Sequence, residues 1–194
     1  GTENAASEFI TSLSTDAKDN LWVASQSDLF VLKSGEKQLS QFSEAFPQAQ
    51  PPTSLLLSTI LPDSNGIIWL GTRHKGLDRF NSTTGEIVNF CAAINGFPDD
   101  EIKSLIKDET GFLWVVTRGG IARLNAMQNG FQTFSKQDGL QSDGFDQGAI
   151  AKSDNGRLFV GGLSGFNLID PKKLPSKAFS PSPFLTSFEH FGQK

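Results

Sequence analysis

The chain has 194 residues, a formal net charge of −4, 37% hydrophobic and 20% charged residues, a balance that fits a folded domain and excludes wholesale disorder and a basic footprint for nucleic acid or anionic membrane. A single cysteine, Cys91, excludes an internal disulfide and a Cys-based zinc site, and the only histidines, His74 and His190, are too few for a multi-His metal centre. No apolar run approaches the roughly 20 residues that span a bilayer. Nineteen Gly, 17 Phe, three Trp and no Tyr point to many turns around an aromatic-rich β core.

One pattern recurs along the chain. Asp16 to Trp22, Asp63 to Trp69 and Asp108 to Trp114 share it, and Ser153 to Phe159 is a fourth copy with Phe in the Trp place. The aromatic anchors 22, 69, 114 and 159 are spaced 47, 45 and 45 residues apart, the mark of an internal repeat. Each copy begins with a short apolar strand: Ile10–Leu13, Leu57–Ile60, Ile102–Leu105 and Gln147–Ile150. A turn follows, with Asn65-Gly66 and Asn155-Gly156 as hairpin signals because both residue types tolerate positive φ. The second strand carries the aromatic. A glycine-containing loop then leads to a third strand at Leu29–Leu32, Leu77–Phe80, Ile121–Leu124 and Phe166–Ile169. A weaker fourth strand ends in Phe at Leu39–Phe42, Ile87–Phe90 and Phe131–Phe134. Helix-period stretches of useful length are absent. Four antiparallel strands per 45 residues describe a β-propeller blade, so the expected fold is all-β, with about four four-stranded blades at residues 10–46, 55–92, 101–136 and 147–179. Residues 1–9 form a lead-in segment and 180–194 an exit strand. The anchor aromatics are expected to fill the layers between blades, since their fixed register favours repeated packing over ligand stacking.

These residues resemble the two-component regulator propeller repeat. The best copy runs from Ile60 to Phe80, with Asp63, Gly66, Trp69, Gly71, Thr72, Gly76 and Leu77 in place. The third copy keeps Asp108, Gly111, Trp114 and Thr117 but has Val116 for the first Gly, while the first has Asp19 for Gly and Ala24-Ser25 for Gly-Thr. The resemblance implies C-terminal blades of a propeller that usually closes with seven, followed by an immunoglobulin-like module from Ser180 onward. It also implies the periplasmic sensor region of a membrane-anchored, dimeric bacterial regulator whose output is a histidine kinase, often hybrid, or a diguanylate cyclase.

Several motifs have plain structural readings. Gly161 to Gly165 occupies the slot of Gly71 to Gly76 and lacks the following helix that a phosphate loop needs, so it is read as a turn. Cys91 has no evident His partner and reads as a small hydrophobe. Asn81-Ser82-Thr83 reads as a turn. Asp16, Asp63 and Asp108 recur beside turns and are expected to accept backbone hydrogen bonds rather than to hold calcium.

Antiparallel alternation brings the loops between second and third strands, and those leading to the next blade, to one face. Propellers commonly bind ligands on such a face. It carries Arg73, His74, Lys75, Arg118, Asp99, Asp100 and Asp143, which form the candidate ligand-binding set, with Asn95, Asp138 and Gln141 nearby. Arg73 and Arg118 each lie four residues after their Trp, so two guanidinium groups on neighbouring blades could clamp an anionic or polyhydroxylated ligand. No catalytic residue, metal or cofactor is expected. The expected function is reversible sensing of a small polar or carbohydrate-like ligand, such as a glycan fragment. The alternatives are a propeller lyase or hydrolase, for which His74 is the only histidine on the face, and a purely architectural or dimerising propeller. An open arc of blades would also self-associate through its exposed edges and faces.

Overall fold

The computed structural model describes residues 9–125 and 130–174. Alternating apolar and polar residues, punctuated by Asp-, Asn- and Gly-containing turns, give four antiparallel meanders. Blade 1 comprises β1 (Ile10–Thr15), β2 (Leu21–Ser25), β3 (Leu29–Leu32) and the short β4 (Ser40–Gln41). Blade 2 comprises β5 (Leu57–Pro62), β6 (Ile67–Thr72), β7 (Leu77–Asn81) and β8 (Ile87–Phe90). Blade 3 comprises β9 (Ile102–Lys107), β10 (Phe112–Thr117), β11 (Gly120–Asn125) and β12 (Phe131–Phe134). Blade 4 has β13 (Phe145–Lys152), β14 (Leu158–Gly162) and β15 (Gly165–Ile169), three strands among the described residues. The first strands stand side by side in chain order, β1 beside β5, β5 beside β9 and β9 beside β13, as the innermost strands of a propeller do. Among the described residues, no helix is long and apolar enough to cross a membrane. The exit strand placed at 180–194, residues 1–8 of the lead-in, and 175–179 of the last blade lie outside the described residues.

Burial follows the repeat. Register pairs Trp22 with Val31, Trp69 with Arg79 and Trp114 with Arg123, so one face of each blade presents its Trp to the next blade. The opposite face presents aliphatics to the preceding one. Three apolar layers result. Trp22, Leu29 and Val31 meet Ile60, Ile68, Leu70 and Phe80; Trp69, Leu77 and Phe90 meet Leu105, Leu113, Val115 and Leu124; Trp114, Val116 and Ile121 meet Leu158, Val160 and Ile169. The three tryptophans are almost fully buried, as the repeat predicts. The fourth anchor, Phe159, departs from the expectation. It is only half-buried, because among the described residues no blade follows the face it occupies.

The strand expected over Leu39–Phe42 stops at Gln41, and Phe42 opens a single helical turn, α1 (Phe42–Ala45). The reason is packing. The turn folds Phe42 and Phe46 back into the first layer, where Phe46 stacks on Trp22 at 5.6 Å and both rings meet Phe80 edge-on. In blades 2 and 3 the Phe that ends the fourth strand does this work directly, Phe90 beside Trp69 and Phe134 stacked on Trp114. A second helical turn, α2 (Ala92–Asn95), links blades 2 and 3.

Candidate functional site

At the turns between first and second strands, the repeated aspartates behave as expected. Asp16 accepts from the amides of Lys18 and Asn20, Asp63 from that of Asn65, and Asp108 from those of Thr110 and Phe112. Their second oxygens do something the sequence reading did not foresee. Asp16 accepts the Trp22 indole N–H at 3.0 Å and Asp108 that of Trp114 at 2.8 Å, while Asp63 accepts Lys107 Nζ from the next blade at 3.0 Å. The first and third turns are thereby tied to the buried layer, and the second to the neighbouring blade. Burial pushes the Asp108 carboxyl upward, but the donors Thr110, Trp114 and the Phe112 amide outweigh it and leave its pKa below the ordinary value; the same balance holds for Asp16.

The opposite end is the loop face. At its base a buried hydroxyl closes each tip: Ser25, Thr72 and Thr117, three residues after their tryptophans. Thr72 Oγ1 donates to the Gly76 carbonyl and accepts from the Lys75 amide, both at 2.8 Å. Ser25 Oγ bridges the Asp28 amide and carbonyl, and Thr117 Oγ1 bridges the Gly119 amide and Gly120 carbonyl. The recurrence of a hydroxyl at 25, 72 and 117 was the available signal for this role.

The Arg73–Gly76 tip between β6 and β7 is pinned from several sides. The Arg73 amide donates to the Leu56 carbonyl at 3.0 Å, the Gly76 amide to Asp100 O at 2.9 Å, and Asn89 Nδ2 to Lys75 O at 2.8 Å. Gly76 has φ +77°, and a Cβ there would run into the Phe90 carbonyl, so only glycine lets the tip lie this close to the connector. Beneath the tip, Asp78 is fully buried and accepts from the Thr53 amide (2.7 Å), the Thr53 hydroxyl and Asn89 Nδ2 (2.8 Å). Burial holds its pKa above the ordinary value, offset in part by Asn89 and Thr53. On this rigid backbone, Arg73 is half-buried and His74 and Lys75 are exposed. Among the described residues, no ion pair engages these three side chains.

Arg118 is in a different state. Its Nε and Nη2 donate to Asp99 Oδ2 at 3.2 and 3.1 Å, and Nε lies 3.6 Å from Glu101, which in turn pairs with Lys103 at 2.6 Å. Glu101, just before β9, and Lys103, on it, were absent from the candidate set, although their i, i+2 spacing in extended chain marks them as same-side neighbours. The other candidate acids serve the backbone: Asp100 accepts from the Ala92 amide and Asp143 from the Lys136 amide, each at 2.7 Å. Asp138 and Asn95 cap their own turns, at Ser135 and Cys91. The structure therefore places Arg73, His74, Lys75, Asp99, Asp100 and Arg118 at the junction of blades 2 and 3, and Asp143 on the connector into blade 4. Among the described residues, no cluster of His, Cys, Asp and Glu has the makings of a metal site.

Gly161 to Gly165 is a tight hairpin turn, with Gly162 paired to Gly165, and Asn81 accepts from the Thr83 and Thr84 amides as a turn residue.

Comparison with known proteins agrees with this architecture. Residues 52–74 match the model of the two component regulator propeller family. Over 181 residues the chain is 24% identical to Histidine kinase P4 of Formosa agariphila, an alignment covering 92% of this chain and 13% of that protein. Two solved extracellular domains from B. thetaiotaomicron superpose on it. One, from the hybrid two component system BT3049, gives a TM-score of 0.71 at 18% identity; the other, from the one component system BT4673, gives 0.68 at 22%. They cover 86% and 89% of this chain, which spans 24% of each of them.

Proposed function

This chain carries the two-component regulator propeller repeat, and on that premise we propose that it is a ligand-sensing segment of the periplasmic region of a membrane-anchored, dimeric signalling protein. It binds a small polar or carbohydrate-like ligand on its loop face and catalyses nothing. The complete propeller has more blades than the four described, and the output module belongs to the rest of the parent protein.

The observation that carries this reading is the Arg73–Lys75 tip. Its backbone is fixed at Leu56, Thr72, Asn89 and Asp100, whereas its cationic side chains have no ionic partner among the described residues. A preformed, unneutralised cationic tip binds carboxylates or dense hydroxyls at small ordering cost. Arg118 adds a guanidinium that exchanges Asp99 for a ligand. Its acidic neighbours favour a ligand rich in hydroxyls, which both donate and accept, over a polyanion. Signalling then requires that the ligand favour one arrangement of the parent over another, since only differential affinity shifts an equilibrium.

Titration calorimetry with a panel of neutral and acidic oligosaccharides tests it. The double substitution Arg73→Ala with Arg118→Ala should weaken binding by about tenfold or more, roughly 1.4 kcal/mol, with unchanged thermal unfolding. Unchanged affinity would overturn the site assignment, and product formation from any glycan would overturn the non-catalytic reading.

A further inference from the structure

The dipeptide Asn-Gly stands at 65–66, 95–96, 129–130 and 155–156, and the described residues include the first, second and fourth in full. Asparagine is a thermolabile residue, and before glycine it is open to attack by the next backbone nitrogen, because no Cβ keeps that nitrogen away. Asn65, Asn95 and Asn155 are all exposed, so solvent access does not separate them. Their hydrogen bonds do.

Asn65 and Asn155 hold the same slot of the same turn, two residues after Asp63 and Ser153. At Asn155 both reacting groups are restrained. Its Oδ1 accepts from Ser153 Oγ at 2.6 Å, and the Gly156 amide donates to the Ser153 carbonyl at 2.9 Å. Gly156 is also buried, and a Cβ built on it would meet the Glu109 carboxylate of blade 3 at 2.8 Å, so the amide has little room to move. At Asn95 the restraint is similar: Oδ1 accepts from the Cys91 amide and the Gly96 amide donates to the Ala92 carbonyl, each at 3.0 Å. Among the described residues, the Asn65 side chain makes no hydrogen bond, and the Gly66 amide makes none of comparable geometry. The cause is Asp63, which stands where blade 4 has Ser153. Its carboxylate takes the Asn65 backbone amide at 2.8 Å and Lys107 at 3.0 Å, and it offers no hydroxyl to the Asn65 side chain.

We propose that Asn65 is a site of spontaneous deamidation in the folded chain, reacting ahead of Asn95 and Asn155. Hydroxide removes the Gly66 amide proton, and the nitrogen attacks Asn65 Cγ. The Cγ–Nδ2 bond breaks, and Nδ2 takes a proton from water and leaves as ammonia, closing a succinimide. Water then opens the ring. Cleavage of the new N–Cγ bond gives aspartate, and cleavage of the original peptide bond gives isoaspartate. Ser82 donates its amide and Oγ to the Gly66 carbonyl, so both bonds survive the reaction. The isoaspartate lengthens the main chain beside Asp63 and weakens the Asp63–Lys107 tie between blades 2 and 3.

Peptide mapping by mass spectrometry tests this on the purified chain, incubated in mildly alkaline buffer, folded and in parallel unfolded in guanidinium chloride. In the folded chain Asn65 should lose its amide about tenfold faster than Asn95 or Asn155, where two hydrogen bonds must break first. In denaturant the three rates should converge, because the dipeptide is the same. Amide loss at Asn95 or Asn155 as fast as at Asn65 overturns the proposal. So does a preference for Asn65 that persists in denaturant, since its cause then lies in the neighbouring sequence. Asn65→Gln should remove the early amide loss, and early loss that survives this change overturns the assignment. Chain aged to isoaspartate at position 65 should unfold at lower denaturant than fresh chain, and an unchanged midpoint overturns the weakening of the tie between blades.

Discussion

Blades 2 and 4 are built on one pattern and end in different environments. Both fold a meander from the same turn chemistry, and both tie their incoming connector to the third-strand residue that pairs with the residue after the anchor aromatic, Asp78 opposite Leu70 and Asn167 opposite Val160. Asp78 accepts from the Thr53 amide at 2.7 Å, and Asn167, in the same slot of blade 4, accepts from the Gln141 amide at 2.8 Å. Yet Trp69 and Leu77 are sealed between sheets, while Phe159 and Phe166 are partly in water. The local sequence makes the sheet, and the neighbour makes the core.

The largest expected difference is in the anchors. Trp69→Ala should cost about 3–5 kcal/mol in urea unfolding, as large-to-small changes in a packed layer do, and Phe159→Ala only about 1 kcal/mol. Equal losses would mean that the two blade faces are equally covered. A smaller contrast concerns glycines with left-handed backbone. Gly76→Ala combines φ +77° with a collision against the Phe90 carbonyl, whereas a Cβ added at Gly148, at φ +75°, would meet nothing within 4 Å. The expected costs are about 2 kcal/mol or more at Gly76 and about 1 kcal/mol at Gly148. If Gly148→Ala proves the more damaging, the close approach at Gly76 has been misjudged.

The subtlest comparison is Asp78 against Asn167. Because the same slot works as an amide in blade 4, Asp78→Asn should change stability at neutral pH by about 1 kcal/mol or less. The pH dependence carries the sign. Burial raises the folded-state pKa of Asp78 above 3.8, so as the pH falls the folded state takes up the proton before the unfolded state does. Wild type should therefore gain stability relative to Asp78→Asn as the pH drops through that raised value toward 3.8. Asp108 should behave oppositely. Its folded pKa is lowered, so its contribution is present above 3.8 and lost as the pH falls through the folded value. Measured against Asp108→Asn, wild type should lose ground in acid. Parallel profiles for the two pairs would refute both assignments.

Much of this was legible in the chain because the repeat states each instruction several times. Strand positions, the turns at Asn65-Gly66 and Asn155-Gly156, the capping role of Asp16, Asp63 and Asp108, and the Trp layers all depend on residues within about ten positions of one another. The candidate face was legible for the same reason, since alternation of strand direction fixes which loops emerge together. The pairing state of its charges was not. Arg73 and Arg118 occupy equivalent positions after equivalent tryptophans, yet Arg118 is engaged by Asp99 and Glu101 from the connector, while Arg73 meets no acid among the described residues. Connector length and course differ from blade to blade, so periodicity says nothing about which carboxylate arrives.

The sequence by itself determined the all-β class, the blade count in the described region, the Trp register and the face on which the polar loops gather, because backbone alternation and turn stereochemistry are local. Only the tertiary structure decided that Phe42 turns into a helical step to complete the first aromatic layer, and that Asp63 is met by Lys107 from the next blade. It alone decided that Phe159 and Phe166 stay partly exposed where their equivalents are sealed. Burial and ion pairing are properties of two surfaces in contact, and a repeat written in one blade does not encode what lies against it.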